Sequence, residues 1–352
     1  MRRKLLYLMH VDWNWIKQRP QYIEEELERE FDVKIICPRN YRLKEYHDKE
    51  NIKVFYTIPF IRRIPGLWKI DLFRKKRLIY SIVKRFKPDV IYMTSPGFAE
   101  CIPEYYKGRV VYDCMDDMLS FSNKKERIER VKSRELTAVT KADLILVSSE
   151  RLKRLISERY SIDKDKLLLV RNGYNGVIAD VSVPARKPLY TLCYFGTISH
   201  WFNFEFILKS LEEFNDIEYL LIGPVEGGTP IPSHERIIIK PPVKHDKLQE
   251  ETKLADAFIM PFKINDLILS VDPVKLYEYI NFGKNILCVE YPEIERFSPF
   301  VYFYSSYDSY VDQIKKLKSS DKVKYKNKER IEFLNMNSWQ QRAESIVDAL
   351  KG

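Results

Sequence analysis

Residues 256–290 read DAFIMPFKINDLILSVDPVKLYEYINFGKNILCVE, two short apolar runs on either side of a helical stretch. The runs AFIMPF and NILCVE are continuous rather than alternating, which predicts strands buried on both faces. Between them SVDPVKLYEYINFG (270–283) predicts a helix. Asp272 can serve as its N-cap, Pro273 can occupy its first turn, and Gly283 can close it in a left-handed cap. Lys275 and Glu278 are three residues apart and share a face, while Leu276, Tyr279 and Ile280 pack the other way. A helix that starts at a strand's carboxyl end is a place for a phosphate. A cation beside it and a carboxylate one turn on suit a nucleoside diphosphate, Lys275 for phosphate and Glu278 for ribose hydroxyls. The plain alternative is a capped surface helix with an i,i+3 ion pair.

Working outward, the same alternation fills the chain. Candidate strands lie at 4–9, 33–38, 52–57, 89–94, 109–114, 143–149 and 166–172, then at 191–196, 218–223, 236–240, 256–262, 285–290 and 301–304. Helical stretches separate most of them, among them Gln18–Glu30, Leu72–Phe86, Lys124–Lys141, Glu150–Arg159, Phe204–Phe214 and Lys247–Leu254. Buried runs between helices predict parallel sheets covered on both faces. Residues 179–188, ADVSVPARKP, carry two prolines and no periodicity and read as a linker. At 352 residues the chain exceeds one ordinary core. The division expected is an N-terminal domain of residues 1–178, the linker 179–188, and a second domain of residues 189–330. A helical pattern over Lys328–Lys351 is expected to return to the first domain with residues 331–352. A ligand then lies in the cleft between the two carboxyl edges.

Composition limits the function classes. Hydrophobic residues are 45% and charged residues 31%, as in a soluble globular protein. No apolar run approaches the ~20 residues that span a bilayer. The start MRRKLLYLMHVDW reads as a first strand, not an export signal. The five cysteines are scattered, with no CxxC pair, and read as reduced core residues of a cytosolic protein. A net charge of +10 favours an anionic partner. No glycine-rich turn follows the first strand, which argues against a dehydrogenase or epimerase. No nucleic-acid recognition module is apparent.

The ordered segments DWNWIKQRPQYI (12–23), VVYDCMDD (110–117), ADLILVSS (142–149), LVRNGYN (169–175), YFGTISHW (194–201), LLIGPV (220–225), DPVKLYEYINFGKNI (272–286) and NSWQQRAESIV (337–347) resemble bacterial glycosyltransferases with a family-4-like donor domain. Those proteins build capsular, teichuronic-type and other envelope polysaccharides. The resemblance implies an α/β protein of the GT-B fold: two Rossmann-like doubly wound domains facing across a cleft, with the C-terminal helix returning to the N-domain. It implies transfer of a sugar from a nucleotide-sugar donor, a UDP-sugar, to a lipid-linked saccharide acceptor, with no metal and no cofactor. Glu278 matches the second glutamate of the family's Glu-x(7)-Glu pattern, which holds the ribose, and Lys275 falls at a pyrophosphate contact. Leu276 lies between them. Gly196 and Thr197 end the donor domain's first strand. Val243, Lys244 and His245 fall where the base rests on main-chain groups; the alternative for His245 is an ordinary loop histidine. Two departures stand out. The first glutamate of the pattern is Ser270 here, and the Arg and Lys-Gly of the donor loop are replaced by GTISHWFNF. Both bear on donor-sugar contacts and on whether configuration is retained or inverted.

On the acceptor side, the loop after the first strand carries His10, Asp12, Trp13, Trp15 and Arg19. Two indoles beside polar groups suit a sugar face; the alternative is that they pack on the next helix. Asp116 and Asp117 end the fifth strand with Asp113, and either can be the general base of an inverting transfer, with Asp12 a further catalytic candidate. A helix N-cap is the alternative for Asp116 or Asp117. Residues 59–87 hold ten basic residues and one acid. There Arg62, Arg63, Trp68, Lys75 and Lys76 are candidate contacts to an anionic membrane, with Trp68 in the loop before the helix; the alternative is a loop buried under the second domain or in a dimer contact. The expected location is the cytoplasm, peripheral on the inner face of the cell membrane. A non-catalytic two-lobed nucleotide- or sugar-binding protein is the other reading of the same architecture.

Overall fold

The computed structural model describes residues 2–15, 17–39, 49–56, 68–122, 124–174, 177–181, 188–244, 247–320 and 322–351. They form two compact units, residues 1–172 with 339–352, and residues 173–338.

In the first unit the strands are β1 (Lys4–Leu8), β2 (Asp32–Arg39), β3 (Ile52–Tyr56), β4 (Val90–Met93), β5 (Arg109–Cys114), β6 (Leu144–Val147) and β7 (Leu167–Leu169). They make one sheet in the order β3-β2-β1-β4-β5-β6-β7, every pair parallel. Its helices are α1 (Arg19–Leu27), α2 (Trp68–Phe86), α3 (Lys125–Lys141) and α4 (Glu150–Tyr160). The period-2 alternation of β1 divides the core. Leu5, Tyr7 and Met9 enter one layer with Ile23 and Leu27 of α1. Leu6 and Leu8 enter the other with Ile79 and Val83 of α2, Ala138 and Val139 of α3, and Leu152 and Ile156 of α4. Both faces are buried, so the strands read as continuous apolar runs.

The second unit repeats the plan. Its strands are β8 (Tyr190–Phe195), β9 (Ile217–Ile222), β10 (Ile237–Lys240), β11 (Ala257–Met260), β12 (Asn285–Val289) and β13 (Val301–Tyr304), ordered β10-β9-β8-β11-β12-β13 and again parallel. Its helices are α5 (Phe204–Glu213), α6 (Leu248–Glu251), α7 (Asp266–Leu269), α8 (Val274–Asn281), α9 (Tyr307–Lys318) and α10 (Asn327–Met336). The chain then returns to the first unit as α11 (Trp339–Lys351). There Trp339 stacks on Tyr22 of α1 with centroids 5.3 Å apart, and Ile346, Val347 and Leu350 complete the layer begun by Leu5 and Tyr7.

Four details differ from the sequence expectation. The single helical pattern over 328–351 is two helices, because Asn337 and Ser338 leave the helix to pair with the chain at Tyr174. The returning segment therefore starts at Trp339 rather than 331. The outward crossing falls at 172–173, before the expected linker, whose first residues are already tied down. The Ala179 N–H donates to Asn281 Oδ1 at 3.0 Å, and its carbonyl accepts from the buried Arg330 at 3.0 Å. Residues 182–187 of that linker lie outside the described residues. Trp68 is the first residue of α2, not part of the preceding loop. Asp272 does not cap α8: it pairs with Arg296 and accepts from the Tyr277 hydroxyl, leaving Pro273 at the N-cap position. Gly283 does end that helix at φ +68°.

One buried group carries a pH signature. Glu24 of α1 is fully buried, with Lys49 at 3.2 Å from Oε2 and no partner for Oε1 among the described residues. Burial raises its pKa from 4.5 to about 8, against the lowering effect of Lys49. A raised folded-state pKa gives stability that is present below about 4.5 and is lost as pH rises through about 8. Glu24→Gln is expected to flatten the fall in melting temperature between pH 5 and pH 9, read by thermal unfolding in a pH series. An unchanged slope would show that Glu24 does not titrate in this way.

Candidate functional site

The donor candidates sit at the carboxyl edge of the second sheet. β8 ends at Phe195 with Gly196 next, and α8 follows its neighbour β11 by way of α7. Gly196 and Gly223 have φ of +146° and +147°, conformations that side-chain-bearing residues rarely adopt. A Cβ on Gly223 would fall 2.1 Å from the Gly196 carbonyl oxygen, and one on Gly196 would fall 2.8 Å from Lys275 Cε. The ends of β8 and β9 thus close on each other through bare backbone, with the Lys275 side chain lying against it. Lys275 Nζ is 3.2 Å from Glu278 Oε2 and 5.7 Å from the centre of the Phe195 ring. Its side chain is one-third exposed. Such a partly exposed pair is worth about 0.2–1 kcal/mol, less than the ~1.5–3 kcal/mol of a hydrogen bond to a charged ligand group, so an incoming phosphate can compete for the ammonium. The Tyr194 hydroxyl, its pKa raised by burial and by Glu278, donates to the Thr197 carbonyl at 2.9 Å.

The loop that replaces the family's Arg and Lys-Gly is held by backbone. Ile198 N–H donates to Pro224 O, Glu226 N–H to Ile198 O, Asn203 N–H to Pro261 O and Lys263 N–H to Trp201 O, at 2.7–2.9 Å. This leaves Thr197 and His200 exposed between fixed points. The side chains of Leu276 and Ser270 are engaged within the second unit. Leu276 is fully buried in the second core, so its side chain supports α8 instead of meeting a ligand. Ser270 is buried and donates to the Asp266 carbonyl at 3.0 Å. Just before them in the chain, Asn265 caps α7 through the Ile268 N–H. Val243 packs on the core, and His245 lies outside the described residues.

In the first unit the carboxyl edge gathers His10 after β1, Thr94 after β4 and the Asp113–Asp117 turn at β5. His10 Nδ1 is 2.7 Å from the Thr94 hydroxyl, and the His10 N–H donates to the same oxygen. Trp15 is exposed, as a sugar-facing indole requires. Trp13 instead packs on the core, with Lys49 Nζ 4.5 Å from its ring centre. Asp12 shapes the loop: it is buried, Oδ1 accepts from Asn14 N–H at 2.9 Å, and its carbonyl accepts from Trp15 N–H. That places it as a turn former rather than a catalytic group.

Arg19 is also reassigned. Its guanidinium is buried and donates to both Asp113 oxygens at 2.9–3.1 Å and to the carbonyls of Val170 and Arg171 at 2.7 and 3.2 Å. Tyr92 donates to Asp113 Oδ2 at 2.7 Å. These bonds take up the guanidinium, so Arg19 fastens β5 to the end of β7 and does not present itself to an acceptor. Asp117 is likewise occupied, pairing with Arg159 at 3.1 Å, accepting from Ser120 Oγ at 2.7 Å and capping the 3-10 turn Met118–Phe121. The Met115 carbonyl accepts from Ser148 Oγ at 2.6 Å. Asp116 therefore stands between two fixed residues. Burial raises its pKa to about 6, with the Asp113 and Asp117 carboxylates adding to that and Arg19 opposing it. The sequence reading did not single out Arg159, Thr94 or, within ADLILVSS, Ser148.

In α2, Trp68 is exposed and Lys75 pairs with Asp71 at 3.2 Å, while Arg62 and Arg63 lie outside the described residues. Among the described residues no group of three His, Cys, Asp or Glu side chains is placed to hold a metal ion, and no helix is long and apolar enough to cross a membrane.

Breaking a buried ion pair from one side leaves an uncompensated charge and is worth ~3–5 kcal/mol. Arg19→Met is therefore expected to lower the denaturant midpoint strongly. A variant with wild-type stability and a raised acceptor KM would return Arg19 to the acceptor site.

Residues 21–175 match the Glycosyltransferase Family 4 model. Over 243 residues the chain is 27% identical to the "Putative teichuronic acid biosynthesis glycosyltransferase TuaH" of Bacillus subtilis (strain 168). The match covers 64% of this chain and 61% of TuaH, so the chain spans less than two thirds of that relative's length. Among solved structures, the lipopolysaccharide outer core galactosyltransferase WaaB superposes with a TM-score of 0.65 at 14% identity, over 98% of this chain and 99% of WaaB. HepE of Anabaena, in complex with UDP and glucose, superposes with a TM-score of 0.69 at 11% identity over 100% of both chains. At such identities the likeness is one of fold. The chain has the GT-B fold, and most of its first unit matches the Glycosyltransferase Family 4 model.

Proposed function

We propose that the chain is a glycosyltransferase that moves a sugar from a UDP-sugar to a lipid-linked saccharide during synthesis of a cell-surface polysaccharide, without a metal, at the inner face of the cell membrane. The observation that carries this reading is the grouping of Lys275 and Glu278 over the bare backbone of Gly196. A cation, a carboxylate and a backbone surface without side chains match a pyrophosphate, a ribose and the close approach both need. HepE, with its bound UDP, supports the donor assignment. The second unit holds the donor and the first unit the acceptor, with Trp15 as the exposed sugar-facing indole and His10 beside Thr94. In an inverting transfer Asp116 takes the proton of the acceptor hydroxyl. The hydroxyl oxygen bonds to the anomeric carbon as the bond from that carbon to the pyrophosphate breaks, and UDP leaves.

Membrane attachment is supported by α2, which carries seven basic residues and one acid and leaves Trp68, Ile70 and Phe73 exposed. Apolar side chains among cations suit an anionic lipid surface.

Glu278→Gln and Lys275→Ala are expected to weaken UDP binding roughly ten- to a hundred-fold each with the fold intact, as measured by calorimetry. Unchanged affinity in both would remove α8 from the donor site. Turnover should survive EDTA.

Asp116 acts as the carboxylate, so kcat/KM should rise with pH through about 6 and then level. Asp116→Asn should lose turnover while keeping UDP affinity. Product configuration read by NMR completes this test, since a retained anomer would leave Asp116 only a positioning role.

A further inference from the structure

A second concavity lies in the first unit, away from the His10 loop and the Asp116 turn. It has a volume of about 170 Å³ and forms where the end of β3 meets the first turns of α2, with Phe55, Tyr56, Asp71, Arg74 and Lys75 in its wall. Its chemistry is specific. Lys75 Nζ is 3.2 Å from Asp71 and 4.8 Å from the centre of the Phe55 ring, so the one carboxylate is already neutralised. Arg74 is exposed, and no carboxylate pairs with it among the described residues. Two cations and one carboxylate leave a net positive charge beside two aromatic rings. The volume falls below the ~300–1,000 Å³ of pockets for drug-sized ligands, which excludes a nucleotide sugar. A single, already paired carboxylate does not make a metal site. What fits is one small anionic group held by a guanidinium.

The surface beside it is apolar. Ile70 lies one turn before Arg74 on α2, with Phe73 three residues on from Ile70, and both are exposed, at 48% and 64%; Trp68, 45% exposed, starts the helix. An anion pocket bordered by exposed apolar side chains matches a charged headgroup joined to a hydrocarbon chain.

We propose that this pocket takes the phosphate of a lipid phosphate, with the hydrocarbon chain against Ile70, Phe73 and Trp68. The inference rests on the lipid-linked acceptor of the proposed function and names the part of that acceptor the pocket holds. All strands of this sheet are parallel, so the end of β3 lies on the same edge as the Asp116 turn after β5. The two are four strand positions apart, on the order of 19 Å at ~4.8 Å per strand. A short oligosaccharide bridges that span and a single sugar does not. The acceptor is therefore a lipid-phosphate-linked oligosaccharide whose phosphate sits at Arg74 while its far end reaches Asp116.

The test uses the full chain and three probes below their micellar concentrations: octyl phosphate, inorganic phosphate and octyl glucoside, followed by calorimetry and by Trp68 fluorescence. Octyl phosphate is expected to bind at least tenfold tighter than either of the others. Arg74→Glu is expected to weaken it at least tenfold and Tyr56→Ala to weaken it less, both with wild-type melting temperature and UDP affinity. Inorganic phosphate binding as tightly as octyl phosphate would show a free-anion site and overturn the proposal. So would octyl glucoside binding equally well, or octyl phosphate affinity unchanged in both variants. The acceptor reading is scored separately, by transfer to lipid-linked saccharides. Octyl phosphate bound through Arg74 without any such transfer supports the pocket and overturns the acceptor reading. Transfer without octyl phosphate binding overturns the pocket alone.

Discussion

Parallel pairing governs this molecule. Every strand pair in both sheets is parallel, so each strand reaches its neighbour only through a crossover, and all carboxyl ends in a sheet fall on one edge. Residues remote in sequence thereby meet. His10 reaches Thr94, the Asp116 turn is held by Ser148, and Gly196 reaches Gly223 and Lys275. The same pairing buries both faces of the central strands, which is why β1, β4, β6, β11 and β12 are almost wholly apolar.

At those ends polar groups are fixed by other polar groups. Arg19 and Asp113 are both buried, and a buried ion pair is tolerated when its remaining donors and acceptors are filled. Here Tyr92 and the carbonyls after β7 fill them. Asp117 is held by Arg159, which also meets Glu135, and Glu135 accepts from Tyr160 at 2.7 Å. The turn between these two clusters cannot drift, and Asp116 is the carboxylate left within it whose pKa lies near neutrality. In the second unit the fixing is done by backbone, through glycine contacts and short bridges between loops.

The strands were legible because most are short, mainly apolar runs between helical stretches. The Lys275–Glu278 pair was legible because its geometry is local, an i,i+3 spacing on one helix. The roles of Arg19 and Asp117 were not, because their partners lie 94 and 42 residues away and no spacing announces them. Leu276 was drawn into the site by its place between two functional residues, although its helical position turns it into the core. The break at Asn337–Ser338 has neither proline nor glycine to mark it. It arises from pairing with Tyr174, a contact that exists only once both crossings are in place.

Those crossings have a consequence for how the protein is made. The first unit consists of residues 1–172 and 339–352, with the whole second unit inserted between them. The layer against α1 lacks Trp339, Ile346, Val347 and Leu350 until the last helix has been synthesised. A ribosome therefore releases a first unit with an uncovered apolar face and must finish all of the second unit before that face is closed. The nascent chain is open to misassociation for the time taken to add about half its length, at ~5–20 residues per second. A truncation that removes only the final helix would leave the second unit whole and the first unit permanently in that nascent state.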